Sequence, residues 1–233
     1  MAAMSMVRIL HLAPGEAECD PNRQFASRIA DPPLTDHGRA QVERVASTLA
    51  GQRLTLHDEI LASPLKRAQE TAMILAQQLG GTVRPDERLR DINVGDLDGR
   101  SDDEAWRIYT EIVHRRWAAG EWSRRFPNGE HLRNLAQRIR GALLQAAQPE
   151  IGAQRTDVLV VGHAAGLRAA LPYLIKNVED AYPHVEPGPC SFSCFLAGPA
   201  SRPAVLRLVA FDVPPTDVGR LTAERTRQLW ETI

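Results

Sequence analysis

Asp157-Val158-Leu159-Val160-Val161-Gly162-His163 is the stretch on which the fold turns. Its continuous apolar run, Val158 to Val161, lacks polar alternation, as expected of a central parallel strand covered on both faces. Gly162 and His163 then lead into a helix carrying Leu167, Leu171 and Leu174. Working outward, Val7-Arg8-Ile9-Leu10-His11-Leu12 reads as another buried strand, and Glu59-Ile60-Leu61-Ala62 as a short one. Thr35 or Asp36 can cap a helix whose Val42, Val45, Ala46 and Leu49 share a face. Pro64 is placed to open a helix with Leu65, Ala68, Ala72, Leu75 and Leu79 on one stripe, closed by Gly80-Gly81. Thr82-Val83-Arg84 suits a further strand. A helix from about Glu130 places Leu132, Leu135, Ile139 and Leu143 at helical spacing. Strands near Phe192–Leu196 and Val205–Phe211 and a terminal amphipathic segment complete the chain. Strands alternating with helices predict an α/β protein: one three-layer α/β/α domain over residues 1–233 with a mostly parallel sheet. Residues from about 91 to 129 break the alternation. They hold Trp106, Trp117 and Trp122 among many charges and predict a helical cap insertion, packed by its tryptophans.

Composition narrows the function classes. The chain has 233 residues, is 43% hydrophobic and carries a formal net charge of −1. That charge offers no bulk attraction for nucleic acid or a membrane surface. Lys66 and Lys176 are its only lysines, so nearly all positive charge is arginine, which forks well onto carboxylates and phosphates. Cys19, Cys190 and Cys194 form no metal-site pattern, and reduced thiols are expected. The N-terminus is too short and too weakly charged for a signal peptide, and no apolar run is long enough for a membrane span. The expectation is a soluble cytoplasmic protein with no cofactor and no metal.

Ligands of such sheets bind beyond the carboxyl ends of the strands. Three strand ends carry polar residues followed by helices: Ala13-Pro14-Gly15-Glu16, Ser63-Pro64-Leu65-Lys66-Arg67 and Gly162-His163-Ala164. Helix N-termini expose N–H groups and partial positive charge, and Arg67, one turn into its helix, can fork onto an anion. The loop from Ala13 to Leu34 is long and polar, as functional loops often are. Gly15 and Ser63 at the strand ends, with Asn22 and Arg23 in the long loop, join Arg67 as candidate ligand-binding residues. His11 lies on the strand at opposite parity to Pro14, which argues against a role in the site. Cys19 is expected to be an ordinary loop thiol, and His131 an exposed residue at a helix start.

Five segments in order carry a resemblance. They are Pro33-Leu34-Thr35-Asp36-His37-Gly38-Arg39-Ala40-Gln41; Ser63-Pro64-Leu65-Lys66-Arg67-Ala68-Gln69-Glu70-Thr71-Ala72; Leu89-Arg90-Asp91 with Gly95-Asp96-Leu97-Asp98-Gly99; Asn128-Gly129-Glu130; and Val160-Val161-Gly162-His163. Together they resemble the histidine phosphatase (phosphoglycerate mutase-like) superfamily over about residues 7 to 175. The resemblance implies that Arg67 binds a phosphate group and that His163 donates to it and stabilises charge. It puts Asp91 where the family has an acidic proton donor, usually Glu and one methylene longer. Glu16 becomes a supporting acid. At the first strand end the family carries Arg-His-Gly-Glu, with the His as nucleophile; here Ala13 and Pro14 replace the first two residues. Family members often dimerise, which leaves a homodimer open.

Proline offers no atom that can take a phosphoryl group, and the missing Arg removes a fixed positive charge. The expected ligand is therefore a small monoanion or a neutral polar molecule. The leading expectation is a repurposed enzyme doing acid/base chemistry with His163, Asp91 and Glu16, Arg67 holding the ligand. Two others stand beside it. One is a non-catalytic pseudophosphatase that binds a ligand or a partner. The other is a phosphatase or mutase with an atypical nucleophile.

Overall fold

A computed structural model describes residues 6–52, 54–148, 155–175, 188–197 and 206–218. Its strands are β1 (Met6–Leu12), β2 (Glu59–Ala62), β3 (Thr82–Pro85), β4 (Arg155–Val161), β5 (Phe192–Ala197) and β6 (Leu206–Val213). They form one sheet in the order β3-β2-β4-β1-β5-β6. β1 to β4 run parallel, while β5 pairs antiparallel with β1 and β6 antiparallel with β5. The run that begins at Asp157 lies next to β1, near the middle of the sheet, as its unbroken apolarity predicts. The expected terminal amphipathic segment falls outside the described residues.

Five helices flank the sheet among the described residues: α1 (Asp36–Ala50), α2 (Lys66–Leu79), α3 (Asp103–Thr110), α4 (Leu132–Ala146) and α5 (Ala164–Leu174). Side-chain alternation along the strands divides the core in two. Ile9, Val158 and Val160 pack with Leu135, Ile139, Leu167 and Leu171 of α4 and α5. Leu10, Leu12, Leu159 and Val161 pack with Val42, Val45, Leu49 and Leu75 of α1 and α2. The result is the three-layer α/β/α arrangement expected. No helix among the described residues is long and apolar enough to cross a membrane.

Caps explain the helix boundaries. Thr35 Oγ1 accepts the Gly38 N–H at 2.9 Å and starts α1. α2 begins at Lys66, two residues after Pro64, where Asp31 Oδ1 accepts the Lys66 N–H at 2.8 Å. His131, expected to be exposed, instead caps α4: its Nδ1 accepts the Asn134 N–H at 3.1 Å. The segment between β3 and α4 holds α3 and short helical turns joined by loops. α3 runs directly into a π-helical stretch, Glu111–Trp117, whose Ile112, Val113 and Trp117 join the core on the α4–α5 side.

Candidate active site

The carboxyl ends of β1 and β4 open into a cavity of about 390 Å³. Its polar side is built by Arg67 from α2, Asp91 from the loop after β3, and His163 from the β4–α5 junction. Arg67 is buried, and its Nη2 donates to the Ala26 carbonyl at 2.9 Å and to Asp91 Oδ2 at 3.3 Å. Its Nη1 is buried without a hydrogen-bond partner. A buried guanidinium N–H without an acceptor is costly. His163 Nδ1 stands 3.8 Å from Asp91 Oδ2, and its Nε2 is 2.8 Å from Ser63 Oγ.

The electrostatics follow from burial. Desolvation, reinforced by the charge of Arg67, holds His163 well below the ordinary imidazole range, so the ring is neutral near pH 7. Burial pushes the Asp91 carboxyl upward, and Arg67 draws it partly back. Arg67 is thus the permanent cation at the depth of the cavity.

Asp91 sits on a tightly held loop. Arg138 of α4 donates to the carbonyls of Arg88 at 2.8 Å and Asp91 at 2.7 Å, and also to that of Arg90. Its Nη2 also meets Glu130 Oε1 at 2.7 Å, and that same oxygen accepts the Asn93 N–H at 2.7 Å. The floor of the cavity is Ala13, Pro14 and Gly15. Ala13 donates its N–H to the Ser191 carbonyl, and Pro14 accepts from the Cys190 N–H, both at 3.0 Å. A Cβ on Gly15 would come within 2.5 Å of the Gly38 carbonyl oxygen, so α1 and the floor touch only because residue 15 has no side chain.

The structure brings together Arg67, Asp91, His163, Gly15 and Arg23 around the cavity, and sets three other expected residues apart. Glu16 turns its carboxylate to the start of α1, where Thr35 Oγ1 donates to Oε1 at 2.7 Å. Asn22 is exposed and donates to the Glu18 carbonyl. Ser63 is fully buried behind His163 and does not line the cavity. His11 is buried on β1 outside the cavity wall; a Cβ at residue 162 would fall 2.2 Å from its Nε2. Cys19 does line the cavity, and burial pushes its thiol up to about 12.

Sequence reasoning missed the apolar wall. Phe25, Ile92, Val94, Trp106 and Tyr109 line it, so Trp106 does more than pack the cap. No local spacing joins Phe25, on a loop, to two residues of α3. Arg138 was also missed; its only signal was a charged residue on the apolar helix after Glu130.

This fold and site belong to a known class: the chain is a member of the histidine phosphatase superfamily (branch 1), whose model matches residues 15–209. Among its relatives, the probable phosphoglycerate mutase GpmB of Yersinia enterocolitica serotype O:8 is 30% identical over 187 residues. That alignment covers 78% of this chain and 79% of the relative. The structure of mycobacterial hydrolase 1 is similar at 25% identity and a TM-score of 0.71, covering 90% of this chain and 99% of that one. A mycobacterial glucosyl-3-phosphoglycerate phosphatase in complex with VO3 is similar at 26% identity and a TM-score of 0.68, covering 88% and 98%.

Proposed function

We propose that this chain binds a small monoanionic or neutral polar ligand in the cavity and carries out proton-transfer chemistry on it, without forming a phosphohistidine. The observation that carries this reading is the composition of the cavity. Arg67, Asp91 and His163 converge on it, while its floor at Ala13 and Pro14 offers no nucleophilic side-chain atom. Arg67, which lines the cavity beside Asp91, holds the anion by its positive charge. Asp91, with its carboxyl pushed upward, is suited to give a proton, and His163, its Nδ1 3.8 Å from Asp91 Oδ2, stands where a proton can pass between them. Ser63 holds the imidazole from behind. A dianion fits less well, because Arg67 is the permanent cation at that depth and His163 beside it is neutral. Cys19 is a poor substitute nucleophile, since its thiolate is inaccessible at neutral pH.

The test is p-nitrophenyl phosphate hydrolysis, with intact-mass analysis for a phosphorylated enzyme. The unaltered chain is expected to show neither turnover nor a mass increase. Ala13→Arg combined with Pro14→His, introduced on the retained framework, is expected to confer measurable hydrolysis. Turnover by the unaltered chain that Arg67→Ala abolishes would overturn the reading and establish a phosphatase with an atypical nucleophile.

A further inference from the structure

The cavity has a polar and an apolar part. Besides Arg67, Asp91 and His163 it is lined by Phe25, Trp106 and Tyr109, with Ile92 and Val94. The three rings form one cluster: Phe25 and Trp106 centroids lie 4.5 Å apart, Phe25 and Tyr109 5.2 Å, and Trp106 and Tyr109 5.5 Å. Phe25 and Tyr109 are buried and Trp106 is only partly so. The indole N–H is already spent on the Arg23 carbonyl at 2.8 Å, so Trp106 offers only apolar ring contact.

Two features show that this wall is built with care. Arg23 adopts φ of +50°, a left-handed conformation that a non-glycine residue holds at some cost, and its guanidinium lies 4.6 Å from the Trp106 ring centroid. Immediately after Tyr109 and Thr110, α3 widens into the π-helical stretch Glu111–Trp117. Such stretches are rare and concentrate at functional sites. This one lets Tyr109 and Trp117 both meet Phe126, with ring centroids 5.9 and 5.6 Å away.

We infer that Phe25, Trp106 and Tyr109 form a subsite for a planar apolar ring, so that the ligand is a small aromatic monoanion. Its negative group faces Arg67 and its ring lies against the aromatic wall, with Arg23 at the rim beside it. The inference rests on the reading of Arg67 as the anion seat and adds the substrate class. Trp106, Phe25 and Tyr109 are here specificity residues and take no part in proton transfer.

Calorimetric titration with phenylacetate, acetate and benzyl alcohol tests it. The unaltered chain is expected to bind phenylacetate about ten-fold or more tighter than acetate, the gain from ring burial. Trp106→Ala should bring that ratio close to one while leaving acetate binding unchanged, and Trp106→Phe should keep most of it. Arg67→Ala should abolish binding of both anions. Phenylacetate binding no tighter than acetate overturns the aromatic subsite and leaves the anion seat standing. Equal binding of phenylacetate and benzyl alcohol, indifferent to Arg67→Ala, overturns the anion seat. An unaltered chain that binds none of the three overturns both. The comparison of ligands on the unaltered chain decides the matter even if Trp106→Ala does not fold.

Discussion

At the scale of single residues, the histidines set how the molecule responds to acid. His11 is buried and neutral, its imidazole pushed down to about 4 by desolvation. An unfolded chain takes up a proton there near pH 6.5 while the native chain does not. The contribution to stability is therefore complete above about pH 6.5 and is lost as pH falls to about 4, amounting to about 3 kcal/mol for this one group. His163 shifts in the same direction and steepens the loss. Urea unfolding between pH 7.5 and pH 4.5 should show this fall, and His11→Asn should make it shallower by about one proton. An unchanged slope in the variant would show that His11 does not titrate on unfolding. Sequence reading goes far at this scale and then stops. Arg67 and His163 were legible because strand ends and helix starts fix where their backbones lie, and Asp91 only through the resemblance. The direction of Glu16 was not, because adjacency gives position along the chain but not the direction of a side chain, and the Thr35 hydroxyl at the start of the next helix meets that carboxylate.

Elements matter through the way α4 reaches across to the loop after β3. Arg138 is the hub: it satisfies the carbonyls of Arg88, Arg90 and Asp91 and the carboxylate of Glu130 from one guanidinium. Three loop carbonyls and a buried acid lose their donor when it is removed. Arg138→Ala should cost about 3 kcal/mol of unfolding free energy, since unpaired buried groups carry their full desolvation cost. Lysine has one ammonium and no planar fork, so Arg138→Lys should recover less than half of that loss. Denaturant midpoints measure both, and a cost below about 1 kcal/mol for the alanine variant would remove the hub from the account. α1, α2, α4 and α5 were legible as elements because each writes an apolar stripe at helical spacing. The aromatic wall was not. Phe25 lies in a loop whose course is set by distant anchors such as Asp98, which accepts the N–H groups of Ser27 at 2.7 Å and Ile29 at 2.6 Å. The π-helical turn also shifts the register that a regular period assumes.

For the molecule as a whole, the central strands are pinned by one buried ion pair. Arg8 of β1 and Asp157 of β4 are register partners, and Nε and Nη2 donate to the two carboxylate oxygens at 2.7 and 2.8 Å. Asp157 Oδ2 also accepts the Thr55 N–H at 2.9 Å, tying the lead-in to β2 to the same point. Asp157→Ala leaves a buried cation without its acid and should destabilise by about 3–5 kcal/mol. Arg8→Met with Asp157→Leu removes both charges and should cost less than the single change, as thermal unfolding would show. A double variant weaker than Asp157→Ala would mean that the pair contributes net stability beyond its own desolvation. The same two strands meet again at their carboxyl ends, where His11 presses on Gly162. That contact ties two positions together in heredity. A side chain at 162 would have to displace the ring at 11, so across descendants of this scaffold the two sites should change as a pair.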